Sequence, residues 1–307
     1  MPTRTLEERQ IPIGDVMFNV LRTGHGDGVP LLFLHGFPMF SGAWRHVMAD
    51  LPSNMMCYAP DLLGFNLSSH PEGLERYRFE AGVRDMSELI DRISSTGQAI
   101  VIGHDVGGML AYALAAACPN KVIGLVVVNG AHRVVYGHAL QTDPGQAEAA
   151  AYLDVVRHPA AAELFAADDY AQLRKTMFEM VSPGGDPDLI TQMASAWARS
   201  VSLNGALSWY RANTFERPNP ATIEGPAALP ESALQQDRIV MPHLLIWGTP
   251  DPYLYDVNNR LVAGLCDQFE RMDLPGMGHA PHLTRPDLVA EAITRFAAKV
   301  LPGASGT

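Results

Sequence analysis

An aspartate set among glycines, Gly103-His104-Asp105-Val106-Gly107-Gly108, is the pattern with the clearest chemical content in the chain. It stands where an apolar run gives way to an alanine-rich segment. A tight strand-to-helix turn there would lift the Asp105 side chain clear of the backbone. An aspartate is already ionised at neutral pH, so no base need activate it. It can attack an electrophilic carbon directly and form a covalent ester with the protein. That chemistry excludes most ester and amide hydrolysis and favours an electrophilic sp3 carbon. Taken alone, Asp105 also suits an ordinary helix N-terminus, where the dipole favours negative charge.

Three further patterns weigh toward chemistry. His35-Gly36-Phe37-Pro38 follows an apolar run. A turn there would aim the Phe37 amide at Asp105 and, with the Val106 amide, form an oxyanion hole from backbone donors. Trp247-Gly248-Thr249-Pro250-Asp251 ends another apolar run, and Asp251 suits the acid that orients a catalytic histidine. Gly276-Met277-Gly278-His279 supplies that histidine, suited to general-base work near neutral pH. His282 is its rival but lacks the preceding Gly-x-Gly. Each pattern alone reads as a turn or a cap. In the chain order nucleophile, acid, histidine they read as a triad.

Strands must carry these groups. Residues 31–35, 56–61, 99–104 and 122–129 read as buried strands. Residues 78–94 read as a helix, with Phe79, Val83, Met86, Leu89, Ile90 and Ile93 at helical spacing. Residues 107–118 form an alanine-rich helix. Such alternation predicts a mostly parallel sheet covered on both faces. From 132 to 236 the β-runs stop, and helix-like stretches occupy 147–156, 169–180, 189–200 and 204–213. Residues 218–230, punctuated by Pro and Gly, read as a connection. Strands return at 243–247 and 269–274, and a helix at 285–301 closes the chain. The expected layout is a core domain in two parts, 1–131 and 237–307, with a helical cap at 132–236. A cap of this kind excludes water and carries specificity.

The 307 residues exceed what one hydrophobic core usually supports, consistent with a core plus an insertion. The net charge is −11 and basic residues are scattered, which argues against a nucleic-acid partner. Cys57, Cys118 and Cys266 are far apart and show no CxxC spacing, so no disulfide framework or zinc site is expected. They read as buried thiols. Residues 1–12 lack the apolar core of a signal peptide, and no apolar run is long enough to span a bilayer. A cytoplasmic protein with no membrane partner is expected.

With these motifs the chain resembles the α/β-hydrolase superfamily over nearly its full length. Its aspartate nucleophile resembles that of the epoxide hydrolases and their dehalogenase relatives. The implied fold is a mostly parallel central sheet flanked by helices, with a helical cap insertion. Leu207-Ser208-Trp209-Tyr210-Arg211-Ala212-Asn213 is similar to the family's N-W-Y-R segment, whose tyrosine hydrogen-bonds the epoxide oxygen. That role maps to Tyr210. A second cap tyrosine maps by position to Tyr152, with Tyr170 and Tyr136 as alternatives. The chain departs from the family at Val106, where many relatives carry Trp, at Ser208 in place of Asn, and at Leu63 in place of Arg. Val106 counts against a haloalkane dehalogenase, which uses that Trp to bind halide. No Arg directly after Asp105 holds a carboxylate, as in fluoroacetate dehalogenases.

The resemblance implies an epoxide hydrolase that makes vicinal diols through an ester on Asp105, hydrolysed by water that His279 and Asp251 activate. It implies no metal or organic cofactor. The partners would be a small-molecule epoxide and water, the protein being a monomer or homodimer. His35, Pro38, Trp44, His104 and Trp209 are expected to border the substrate. Two other readings stand beside this one: a haloalkane or haloacid dehalogenase with the same triad, and a non-catalytic ligand-binding protein. A serine esterase is disfavoured because the turn holds no Ser.

Overall fold

Near-continuous apolar strands are stable only when both faces of their sheet are covered, and the fold is built on that requirement. The computed structural model describes residues 5–26, 28–181, 186–199, 201–225 and 227–301. Residues 1–4 of the polar N-terminal stretch, and Ser200 at the expected end of one helix, lie outside them. Among the described residues one sheet holds β1 (Glu7–Ile13), β2 (Val16–Thr23), β3 (Leu31–Leu34), β4 (Cys57–Pro60), β5 (Ala99–His104), β6 (Val122–Val128), β7 (Ile239–Thr249) and β8 (Cys266–Pro275). Their spatial order is β1-β2-β4-β3-β5-β6-β7-β8. The β1–β2 and β2–β4 pairs are antiparallel, and the pairs from β4 to β8 are parallel. This is the α/β-hydrolase fold.

Alternate residues of each central strand enter opposite cores. Leu32, Leu34, Val101, Leu125 and Val127 pack into one, and Leu31, Phe33, Ile100, Ile102, Val126 and Val128 into the other. The second core is closed by α1 (Arg45–Asp50) and by the C-terminal helix. The first is closed by α2 (Phe79–Ile93) and α3 (Asp105–Ala117).

Between β6 and β7 the chain is helical: α4 (Arg133–Thr142), α5 (Pro144–Ala149), α6 (Tyr152–Arg157), α7 (Ala161–Val181), α8 (Pro187–Trp197), α9 (Ser202–Ala212) and α10 (Glu231–Gln236). The helix expected at 147–156 is therefore two short ones. The helix expected at 169–180 begins earlier, as α7, and is kinked where Asp168, Asp169 and Tyr170 take positive φ. Aspartates adopt that conformation more readily than most residues. After β7 come α11 (Val257–Val262), α12 (Pro281–Thr284) and α13 (Pro286–Val300).

Two features differ from the sequence expectation. β1 and β2 form a hairpin absent from the sequence expectation: Glu7 to Gln10 are exposed and polar, but Ile11, Ile13, Val16, Phe18 and Val20 alternate at strand period. The available signal was the two-residue Gly14-Asp15 turn. Only Cys57 is buried; Cys118 and Cys266 are half-buried, which corrects the expectation of three buried thiols. Among the described residues, no helix is long and apolar enough to cross a membrane.

Asp61, just after β4, is fully buried and joins the loops around the site. Its carboxylate accepts from Asn19 Nδ2 at 3.0 Å, Asn66 Nδ2 at 2.9 Å, and the amides of Ser41 at 2.9 Å and Leu67 at 3.3 Å. Asp61→Ala strands these donors, so urea denaturation should show a loss of roughly 2–4 kcal/mol. Asp61→Asn, which keeps an acceptor oxygen, should lose less.

Candidate active site

Asp105, Phe37, Asp251 and His279 lie beyond the carboxyl ends of strands, where open α/β sheets bind ligands, and Tyr152 and Tyr210 come from the helical segment. β5 ends in His104, and Asp105 follows with φ 53°, a left-handed conformation that is costly for a residue with a Cβ. The turn closes because Gly107 has no side chain: a Cβ there would lie 2.4 Å from the His35 carbonyl oxygen. A Cβ on Gly36 would lie 2.4 Å from that of Asp105. The loop after neighbouring β3 can thus rest against Asp105.

That contact aims a donor at Asp105. The Phe37 N–H donates to Asp105 Oδ1 at 2.9 Å. The other end of the same peptide, the Gly36 carbonyl, accepts from His35 Nδ1 and the Met39 amide, both at 3.0 Å. His35 Nε2 in turn accepts from the Leu62 amide at 2.9 Å, so its proton resides on Nδ1. Burial lowers the His35 pKa and keeps the ring neutral. The Val106 amide lies in the first turn of α3, where helix N–H groups lack intrahelical acceptors.

His279 and Asp251 complete the constellation. His279 Nδ1 is 2.8 Å from Asp251 Oδ2, and its Nε2 is 3.6 Å from Asp105 Oδ2. Asp251 Oδ1 accepts from the amides of Tyr253 at 2.9 Å and Leu254 at 3.0 Å, and Oδ2 from Asn129 Nδ2 at 2.8 Å. Asn129, after β6, is also tied to both backbone groups of Gly248. The sequence reading missed it; the signal was a polar residue closing an apolar strand.

Burial penalises charge on Asp105, yet the hydrogen bond and charge of His279 hold its pKa below the ordinary value. The Asp251 pKa is likewise lowered against burial, chiefly by His279. Burial would lower His279, but the Asp251 charge and the Asp105 contact raise it to about 10. Each aspartate thus favours the charged form of His279, and His279 favours the ionised form of both aspartates.

Two cavities meet at Asp105. One has apolar walls that include Val106, Met109, Trp209 and Phe215. The other includes Phe37, Pro38, Phe165 and His279. Tyr152 and Tyr210 line both, with ring centres 6.4 Å apart. Burial and the nearby Asp105 charge raise both phenols well above the ordinary value, so they stay protonated donors. Tyr253 lines the second cavity, with its ring 5.4 Å from Tyr152 and 5.0 Å from His279. It too was absent from the sequence reading.

Of the residues expected to border substrate, Pro38 and Trp209 line these cavities. His35, His104 and Trp44 do not. His35 braces the Gly36 peptide, as described. His104 is fully buried, with a pKa lowered by burial to about 3, and lies 3.0 Å through Nε2 from the His279 carbonyl. Trp44 sits in the opposite core, packed on Phe33 and His282. His282 itself is buried away from Asp251 and Asp105, so His279 is the histidine brought to the aspartates. Tyr170 packs on Trp197 at the α7 kink. Tyr136 lines the first cavity. Among the described residues no group of three His, Cys, Asp or Glu side chains could hold a metal ion.

The model of the alpha/beta hydrolase family matches residues 31–292. Epoxide hydrolase 1 of Caenorhabditis elegans is 26% identical over 298 residues, spanning 94% of this chain and 70% of that protein. Epoxide hydrolase 4 of Mus musculus is 29% identical over 288 residues, spanning 91% and 76%. Among solved structures, an epoxide hydrolase of Bacillus megaterium in complex with an inhibitor aligns with a TM-score of 0.81 at 25% identity, covering 94% of this chain and 99% of that one.

Because the Asp251 charge is the leading contribution that raises His279, Asp251→Asn should lower the imidazole pKa by more than about one unit. Nuclear magnetic resonance titration of the labelled histidines reads this directly. An unchanged His279 would show that Asp251 does not set its charge.

Proposed function

The chain belongs to the alpha/beta hydrolase family, and we propose that it is an epoxide hydrolase with Asp105 as nucleophile and segment 132–236 as its cap. The observation that carries this reading is the pair of protonated phenols, Tyr152 and Tyr210, lining both cavities that open on Asp105. A ring oxygen needs such donors, because its leaving form is an alkoxide. The names of the relatives above agree with it.

The two Asp105 oxygens divide the work. Oδ1, held by the Phe37 amide, is placed to become the ester carbonyl oxygen, which leaves Oδ2 to attack a ring carbon. As the C–O bond of the ring breaks, one of the two phenols gives its proton to the departing oxygen. Esterification removes the Asp105 charge, and with it part of what keeps His279 protonated. His279 can then give its proton up to the tyrosinate and, now neutral, accept one from water. The hydroxide attacks the ester carbonyl, the amides of Phe37 and Val106 hold the oxyanion, and as it collapses the imidazolium returns its proton to the leaving oxygen, so that the diol departs and the Asp105 carboxyl is regenerated, its proton returning to His279. The new diol oxygen therefore comes from Asp105, and the water oxygen stays on the carboxylate.

A dehalogenase needs halide donors in the place of the phenols. The two indoles nearest this region are engaged elsewhere: Trp209 Nε1 donates to the Leu63 carbonyl at 2.8 Å and Trp197 Nε1 to the Pro38 carbonyl at 2.5 Å. That disfavours halide binding.

Diol should form from styrene oxide without halide release from haloalkanes or fluoroacetate. Asp105→Ala should abolish it, and Tyr210→Phe should slow it by about 10–1000-fold. In a single turnover in 18O-labelled water, the label should enter Asp105 and not the diol. Label in the diol would mean direct attack by water and would sink the ester mechanism.

The two half-reactions should also separate by pH. Ester formation uses a depressed carboxylate and raised phenols, so its rate should be flat from about pH 6 to 9. Ester hydrolysis requires neutral His279 and should slow as pH falls. His279→Gln should trap the ester, which mass spectrometry would detect as an adduct on Asp105.

A further inference from the structure

Arg157 closes α6, whose first residue is Tyr152, and lines the first cavity together with Asp105, Tyr136, Tyr152 and Tyr210. Its Nε donates to the carbonyl of Tyr210 itself at 3.2 Å and its Nη1 to the Phe215 carbonyl at 3.1 Å. Its Nη2 is sealed from solvent without a hydrogen-bond partner. With two nitrogens engaged by backbone and the third sealed, the guanidinium acts on the cavity through its charge and not by contact. Among the described residues it forms no ion pair; the nearby Asp154 pairs with Arg217.

A half-buried cation without a carboxylate partner is costly, and bracing α9 does not require one. Neutral donors would hold the same two carbonyls. Arg211 already ties the same two helices, its Nη2 donating to the carbonyls of His158 at 3.1 Å and Pro159 at 3.4 Å, just beyond α6. What the Arg157 charge faces is a group of hydroxyls. Burial lowers the Arg157 pKa, and Tyr136, Tyr152, Asp154 and Tyr210 work against that lowering. The influence is mutual. Burial, Asp105, Tyr136 and Tyr253 all oppose ionisation of Tyr210, and Arg157 favours it. A guanidinium keeps its charge throughout.

We propose that Arg157 is the counter-charge for the phenolate that ring opening leaves on Tyr210 or Tyr152, a positioning residue that speeds ester formation through the phenols without touching the substrate. The proposal rests on the epoxide reading above. Before reaction the negative charge sits on Asp105. When Asp105 Oδ2 bonds to the ring carbon and a phenol gives its proton to the departing oxygen, that charge reappears on the phenol, in the wall that Arg157 shares. A positive charge fixed there favours the transition state over the resting state, and in a desolvated wall it reaches further than it would in water.

Two variants separate charge from bracing: Arg157→Lys keeps the charge and loses the fork of donors, and Arg157→Met loses both. With styrene oxide, rapid quenching and mass spectrometry count the ester on Asp105 as it forms and decays. Arg157→Met should slow ester formation by about 10–100-fold and leave ester hydrolysis within about threefold, whereas Arg157→Lys should recover most of the loss. Equal loss in the two variants, equal slowing of both stages, or no loss would overturn the proposal. A readout without substrate uses protein that carries 3-fluorotyrosine, whose phenol ionises at lower pH. Fluorine nuclear magnetic resonance, with signals assigned through Tyr152→Phe and Tyr210→Phe, should show the Tyr210 pKa raised by about one unit or more in Arg157→Met and little changed in Arg157→Lys. An unmoved pKa in Arg157→Met overturns the proposal whatever the substrate. If that pKa moves but the wild type opens no epoxide, the charge coupling stands and the epoxide reading fails.

Discussion

A carboxylate taken out of water stays ionised only when its surroundings replace what water supplied. Asp105 and Asp251 are both held in that state, on either side of one imidazole, and the rest of the molecule is arranged around their needs. Asp251 receives two loop amides and the Asn129 side chain; Asp105 receives the Phe37 amide and the edge of His279. Five strands contribute, each through the loop that follows it. A parallel sheet suits this task, because adjacent strands end on the same side and their loops converge without long excursions.

The position of His279 between two aspartates would also link the two stages of the proposed reaction. Its raised affinity for a proton belongs to the whole charge group and not to the imidazole alone. Covalent capture of substrate on Asp105 would change that group by one charge and release His279 to act as a base, with no conformational signal needed to order the steps. The helical segment would contribute from the other side: its phenols donate most strongly once the departing oxygen begins to carry charge.

Much of the site was legible in the sequence because it rests on local turn chemistry. The glycines around Asp105 and before Phe37 are dictated by backbone approach, and such constraints leave short motifs. Asp251 and His279 follow strands whose apolar runs are readable. Tyr210 came from a recognisable segment, and Tyr152 from position alone. Asn129 and Tyr253 were not legible, since each reaches the site through residues far away in the chain. His35, His104 and Trp44 show the converse. They neighbour the motifs in sequence, yet the helical turn at 41–44 carries Trp44 into the opposite core, and the two histidines stay behind the site. The β1–β2 hairpin was obscured by the exposed polar half of β1, and the helix breaks at Ala151 and Asp168 depend on packing that propensity does not encode.

The Gly36–Phe37 peptide is gripped at both ends, its carbonyl by His35 and Met39 and its amide by Asp105. A peptide plane held in this way resists rotation. In the proposed reaction its dipole would meet the oxyanion already in place, its reorganisation energy spent once, when the chain folds, and not again at each turnover.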